Sequence, residues 1–179
     1  MHLNPYGEDP VRFAVDLAAA PPRTAGELTA RCVEAGVVVE RAGTDRDVAE
    51  VAVFLERWLA VVDSGDHRER AGLLNALLAE SASSPRLTDH SGNGWHLHYR
   101  EPDLSLAGVL RALISVGTAL HLAGRGMDRL HRCALADCHR PFADFSRGGR
   151  QRYCSPACAN RDAVRRHRAR TTSPVRSAT

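Results

Sequence analysis

The chain contains no lysine, so all 24 basic residues are arginine. A high-GC genome produces that bias as readily as function does, and the positions of the arginines are therefore more informative than their number. Also missing is an unbroken run of about 18 apolar residues, the length a membrane-spanning helix needs. The opening MHLNPYGEDP carries acids and prolines where a secretory leader has a basic patch and an apolar stretch. These absences predict a cytoplasmic protein with no membrane partner. There is no internal repeat, and no nucleophile-and-base set is legible, so the chain is expected not to be an enzyme.

Cysteine is present in an informative pattern. Of five cysteines, four lie in the last quarter: Cys133 and Cys138 are spaced Cys-x4-Cys, Cys154 and Cys158 are spaced Cys-x3-Cys, and fifteen residues separate the pairs. That much chain folds one pair back onto the other, and four thiolates then converge on one tetrahedral ion. An odd cysteine total in a reducing compartment argues against a disulfide framework. The spacing predicts one structural zinc held by Cys133, Cys138, Cys154 and Cys158. Cys32, in TARCVEAG, is left over and reads as a small core residue.

Charge is unevenly spread behind a net +3. From His131 onward there are 11 arginines and three acids (Asp137, Asp144, Asp162), a net of +8, whereas the preceding 130 residues carry 13 arginines and 18 acids, a net of −5. The basic character belongs to the cysteine-bearing segment.

The remainder reads as helices with one hairpin. Thr44 followed by Asp47 resembles a capping box, and Val48, Val51, Ala52, Leu55, Leu59 and Val62 recur at helical spacing, predicting a helix over 45–62. Further helices are expected over 67–80, 10–19 and 24–35. A long helix over 103–123, apolar almost all round and stopped by Gly124, is expected as the central buried element. RLTDH, SGNG and WHLHYR between Arg86 and Arg100 read as a β-hairpin. PFADF and RQRYC are expected to pair as strands around Ser146 to Gly149, with Cys154 and Cys158 one turn apart at the start of a basic helix, whose dipole favours thiolate. The predicted fold is mainly α with a β-hairpin. A helical domain over 1–130 precedes a small treble-clef-like zinc finger over 131–170 and a polar, disordered tail over 171–179.

CANR, preceded by SRGGRQRYCS and followed by an arginine-rich helix, is similar to the CGNR-type zinc finger. This module follows an ABATE domain in bacterial proteins regarded as stress-induced transcription regulators. FAVDLAA resembles a weakened form of the opening Asp-Leu-Val-Asn segment of that domain, and the hairpin and long helix follow in the same order. Ala159 stands where the family name has glycine, Gly148-Gly149 stands where Asn-Gly is usual, and the asparagine after Asp16 and Leu17 is lost. The resemblance implies zinc ligation by the same four cysteines and a DNA-binding role for Asn160, Arg161 and the helix beyond.

Residue chemistry supplies its own candidates. Arg161, Arg165 and Arg168 stand at i, i+4 and i+7, a single helical stripe able to track phosphates or enter a major groove. Arg166 lies beside them, and Arg147, Arg150 and Arg152 add phosphate contacts from the turn. Asn160 either reads adenine or bonds backbone around the metal knuckle. DNA is thus the first expected partner, with a solvated face, RNA or a docked protein as alternatives. His96 and His98 share a strand face, with His90 across the turn, as a candidate metal or anion site. Arg111 is the only formal charge between Leu104 and Gly124, and it needs a carboxylate, a route to solvent or a small anionic ligand. The helical domain is a candidate sensor or homodimerisation unit.

Overall fold

The computed structural model describes residues 7–89 and 95–172. His90, the SGNG turn and the residues of the expected tail from 173 onward lie outside them. Six helices are described: α1 (Glu8–Ala19), α2 (Ala25–Glu34), α3 (Asp45–Asp63), α4 (His67–Ser81), α5 (Leu106–Arg125) and α6 (Pro156–Thr172). Two antiparallel strand pairs accompany them, β1 (Arg86–Thr88) with β2 (His96–His98), and β3 (Leu130–Arg132) with β4 (Pro141–Ala143).

α5 is the centre of the helical body and packs on α1, α3 and α4. Buried residues occur all round it, from Leu106 and Leu110 to Ile114, Thr118 and Leu122. With a mean hydropathy of 1.6, α5 is by length and composition long enough to cross a membrane, which the lack of an unbroken apolar run did not anticipate. Here its faces are covered by protein. Trp58 of α3, fully buried, donates its indole N–H to Thr118 Oγ1 at 3.0 Å, and that hydroxyl donates to the Ile114 carbonyl at 2.7 Å. The expected stop at Gly124 is corrected. Gly124 stays inside the helix, and Gly126, with φ 114°, ends it.

Local chemistry sets the other boundaries, and one residue serves two helices. Thr44 and Asp47 form the reciprocal capping box of α3. The other Asp47 oxygen accepts the Ala107 amide of α5 at 2.9 Å, sixty residues away. Burial raises the Asp47 pKa, but hydrogen bonds from the Thr44 hydroxyl, the Ala107 and Thr44 amides and the Ser105 hydroxyl outweigh it and hold the carboxyl below its usual range. The stabilisation is therefore present above the unfolded carboxylate pKa and is lost as pH falls through the lower folded value. Asp47→Ala is expected to cost about 1–2 kcal/mol for each of the two caps. Denaturant titration across the acidic range checks this, and an unchanged pH profile would contradict it.

α1 meets α5 backbone to backbone. Gly7, at φ 60°, lies against the Gly117 carbonyl, and a Cβ on Gly117 would overlap Pro10. Gly117→Ala is expected to destabilise by about 1–3 kcal/mol through this overpacking, measured by thermal or denaturant unfolding.

The cysteine-bearing segment is seated on the helical body. Leu130 and Ala143 are buried in the same core as the helices, with Phe145 packed against it. Arg132 forks onto Asp63 at the end of α3 at 2.6 and 2.8 Å.

The expected pairing of PFADF with RQRYC is corrected. β4 pairs with β3 instead, Leu130 opposite Ala143 and Arg132 opposite Pro141, so the hairpin loop is the first cysteine knuckle. Residues 144–151 turn sharply around the buried Asp144, whose carboxylate accepts the Ser146 and Gln151 amides at 2.8 and 2.9 Å. A side chain thus satisfies amides that a second strand would have paired.

Candidate metal centre

The four cysteines come from two structural pieces. Cys133 follows β3 and Cys138 closes the knuckle, with the Cys138 amide donating to the Leu135 carbonyl at 2.9 Å. Cys154 and Cys158 flank the first turn of α6. Ser155 accepts the Cys158 amide at 3.2 Å, and Pro156 opens the helix, an N-cap followed by proline at its favoured first position. This Ser-Pro signature is a start signal legible in the sequence.

The sulfurs converge. All four lie within 4.8 Å of one another, with Cys138–Cys154, Cys154–Cys158 and Cys138–Cys158 separations of 3.6, 3.6 and 3.8 Å. A tetrahedral zinc with Zn–S bonds of about 2.3 Å requires sulfur–sulfur edges of about 3.8 Å. The spacing fits one ion. Cys133 and Cys158 are buried and the other two half-buried. The Cys154 amide points to Cys133 Sγ at 3.5 Å, a contact that stabilises thiolate. Among the thiols themselves, burial first, then hydrogen bonds from neighbouring thiols, push Cys154 up to about 12. Ser155 first, then neighbouring thiols, draw Cys158 down to about 7. Residues 129–171 match the family model of the CGNR zinc finger. No curated protein matches the chain.

Four close cysteines in a CGNR zinc finger can hold one zinc ion. The four thiolates close its coordination shell, and four thiolates with one divalent ion leave a doubly negative centre. Arg161 answers that charge from within α6, its guanidinium 4.0 Å from Cys158 Sγ.

The arginines expected to contact DNA face solvent. Arg147, Arg150 and Arg152 lie exposed on the turn, and Asn160, Arg161, Arg165, Arg166 and Arg168 are exposed along α6. Arg166 is tethered: its Nε meets Asp162 Oδ2 at 2.8 Å, and the same oxygen accepts the Tyr153 hydroxyl at 2.7 Å. That hydroxyl bond, followed by the nearby arginines, holds the Asp162 carboxyl below its ordinary range against the opposing effect of desolvation.

Between α1 and the finger lies a cleft of about 870 Å³, lined by Arg12, Val15, Phe142, Phe145, Arg140 and Arg161 among others. Arg12 sits over the Phe145 ring at 3.8 Å. Nothing in the spacing of the chain signalled this junction, because it joins residues more than a hundred positions apart.

The remaining candidates are scattered. Arg111 meets Glu80 at 3.7 Å, and Arg57 forks onto the same carboxylate at 2.5 and 2.6 Å, so an internal counter-charge is present. His96 and His98 do come together on β2, away from the cysteines. Cys32 is fully buried in the helical core, and burial pushes its thiol up to about 11, in keeping with a packing role.

Proposed function

We propose that this protein is a zinc-dependent DNA-binding transcriptional regulator of the ABATE-type, stress-responsive bacterial kind. In this reading the finger arginines contact DNA and the helical body acts as a sensor or dimerisation unit. The observation that carries it is the run of exposed arginines on α6 and the preceding turn, next to the four-cysteine site. The stripe of Arg161, Arg165 and Arg168 suits a phosphate backbone or a major groove. The order of knuckle, turn and helix supports a treble-clef arrangement, in which the proposed reader follows Leu130 while the β3–β4 pair packs in the core of the proposed sensor.

The reading places the protein in the cytoplasm, as a homodimer binding DNA, and assigns it no catalysis because the zinc shell has no open position. A small anionic ligand fits the scheme in the cleft between α1 and the finger, where it would touch both units. The competing reading is docking onto RNA or a protein, favoured by one observation: Val164, beside the arginine stripe, is 49% exposed. Sequencing the genomic DNA recovered with purified protein, with and without a zinc chelator, tests the proposal. Enrichment of defined sites that disappears on chelation is expected, and recovery of no DNA favours the docking reading.

A further inference from the structure

A pair of imidazoles lies outside the finger. β2 places residues 96 and 98 on one face of the β1–β2 ribbon, with Leu97 turned to the other face opposite Leu87. Both imidazoles are half-buried, their planes tilted at 58° with centroids 4.9 Å apart. Their Nε2 atoms stand 3.1 Å from each other. A metal held about 2.05 Å from each nitrogen at that separation subtends an N–metal–N angle of about 98°, between octahedral and tetrahedral values. Thr88 lies across the ladder from His96, and Arg86 lies across from His98. The Arg86 guanidinium donates to the Arg100 carbonyl at 2.9 Å.

We infer that His96 and His98 form a second metal site, one that takes a divalent transition ion through two imidazole nitrogens. Imidazole donors suit nickel, copper and zinc, whereas magnesium and calcium prefer oxygen ligands. Among the described residues these two imidazoles are the ligands offered, fewer than the four of the finger, so the ion is expected to exchange more readily than the finger zinc. The four-thiolate finger is closed and retains its zinc. Ligation through both Nε2 atoms moves the proton of the 3.1 Å contact to Nδ1 of the same ring or to solvent.

The test uses the full-length, zinc-loaded protein titrated with nickel(II) near neutral pH, with calorimetry for stoichiometry and elemental analysis to confirm that finger zinc stays bound. One nickel per chain in addition to one zinc is expected. His96→Gln and His98→Gln should each abolish that nickel binding at concentrations that saturate the wild type, while His167→Gln on α6 leaves it intact. Histidine ring resonances of the wild type give a second readout that needs no variant to fold. Substoichiometric nickel should broaden two of them selectively. No nickel beyond the zinc, or undiminished binding by the double variant, would overturn the inference and leave the 3.1 Å contact as a hydrogen bond alone.

Discussion

Cys154→Ser is expected to take the protein from one tightly held zinc per chain to none, and to melt the finger while leaving the helical body folded. The site joins a knuckle on one side to the first turn of α6 on the other, with Cys138, Cys154 and Cys158 sulfurs 3.6 to 3.8 Å apart. Little else ties α6 down. The apolar cluster around it consists of Leu135, Tyr153 and the cysteines themselves. Zinc in comparable finger peptides contributes about 10–16 kcal/mol of apparent binding free energy, more than so small a cluster supplies by burial.

The expected loss is therefore the 17 residues of α6 and the order of the knuckle. β3 and β4 should survive, since Leu130 and Ala143 belong to the helical core. Elemental analysis reads the metal, and hydrogen exchange resolved by segment reads the structure. Retained protection in α3, α4 and α5 with exposed amides in α6 is the anticipated pattern. Cooperative loss of the entire helical signal would show that finger and body fold as one unit, and an iron–sulfur chromophore in place of zinc would overturn the metal assignment.

The combined change Arg161→Ala, Arg165→Ala and Arg168→Ala is expected to weaken DNA binding severely and to flatten its salt dependence. Each arginine that neutralises a phosphate contributes about 0.9 to the slope of log affinity against log salt, so three contacts account for about 2.7. An arginine reading guanine behaves differently, costing about 1–3 kcal/mol and relaxing preference at one base position. Arg166, held by Asp162, should contribute less to the slope than Arg165. Arg68, exposed on α4, is a suitable control and should change neither quantity. Arg57 is less suitable, because its fork onto Glu80 supports the helical body. Unchanged affinity and slope in the triple variant, with zinc still bound, would transfer preference to protein docking.

Elements whose determinants are close in sequence were legible before the fold was known. The four cysteines announced a metal site because ligand chemistry is specific and the spacing is short. Periodicity and the Thr44–Asp47 box marked α3 to within a residue or two. The end of α5 is ambiguous in the sequence because two glycines, at 124 and 126, offer the same local signal, and only Gly126 takes the positive φ.

Long-range partners were another matter. Arg111 looked like the buried arginine because its neighbours are apolar, yet it is 29% exposed beside Glu80. Among the described residues the buried one is Arg70, which sits in a charged stretch of sequence. Its guanidinium donates to the carbonyls of Val61, Val62, Ser64 and Met127, gathering the end of α3 and the turn after α5. The paired glycines at 148 and 149 read as the turn of a hairpin joining PFADF to RQRYC, whereas Asp144 takes the amides of that turn and Leu130 supplies the strand.

The sequence by itself determined the metal, the helices and the basic face, because each depends on residue type at local spacing. The tertiary structure decided which carboxylate answers which arginine, that Asp47 caps two helices, and that the finger rests on α1 and α3. Those contacts join positions tens to over a hundred residues apart, and nothing in local periodicity specifies which distant group meets a side chain once the core has closed.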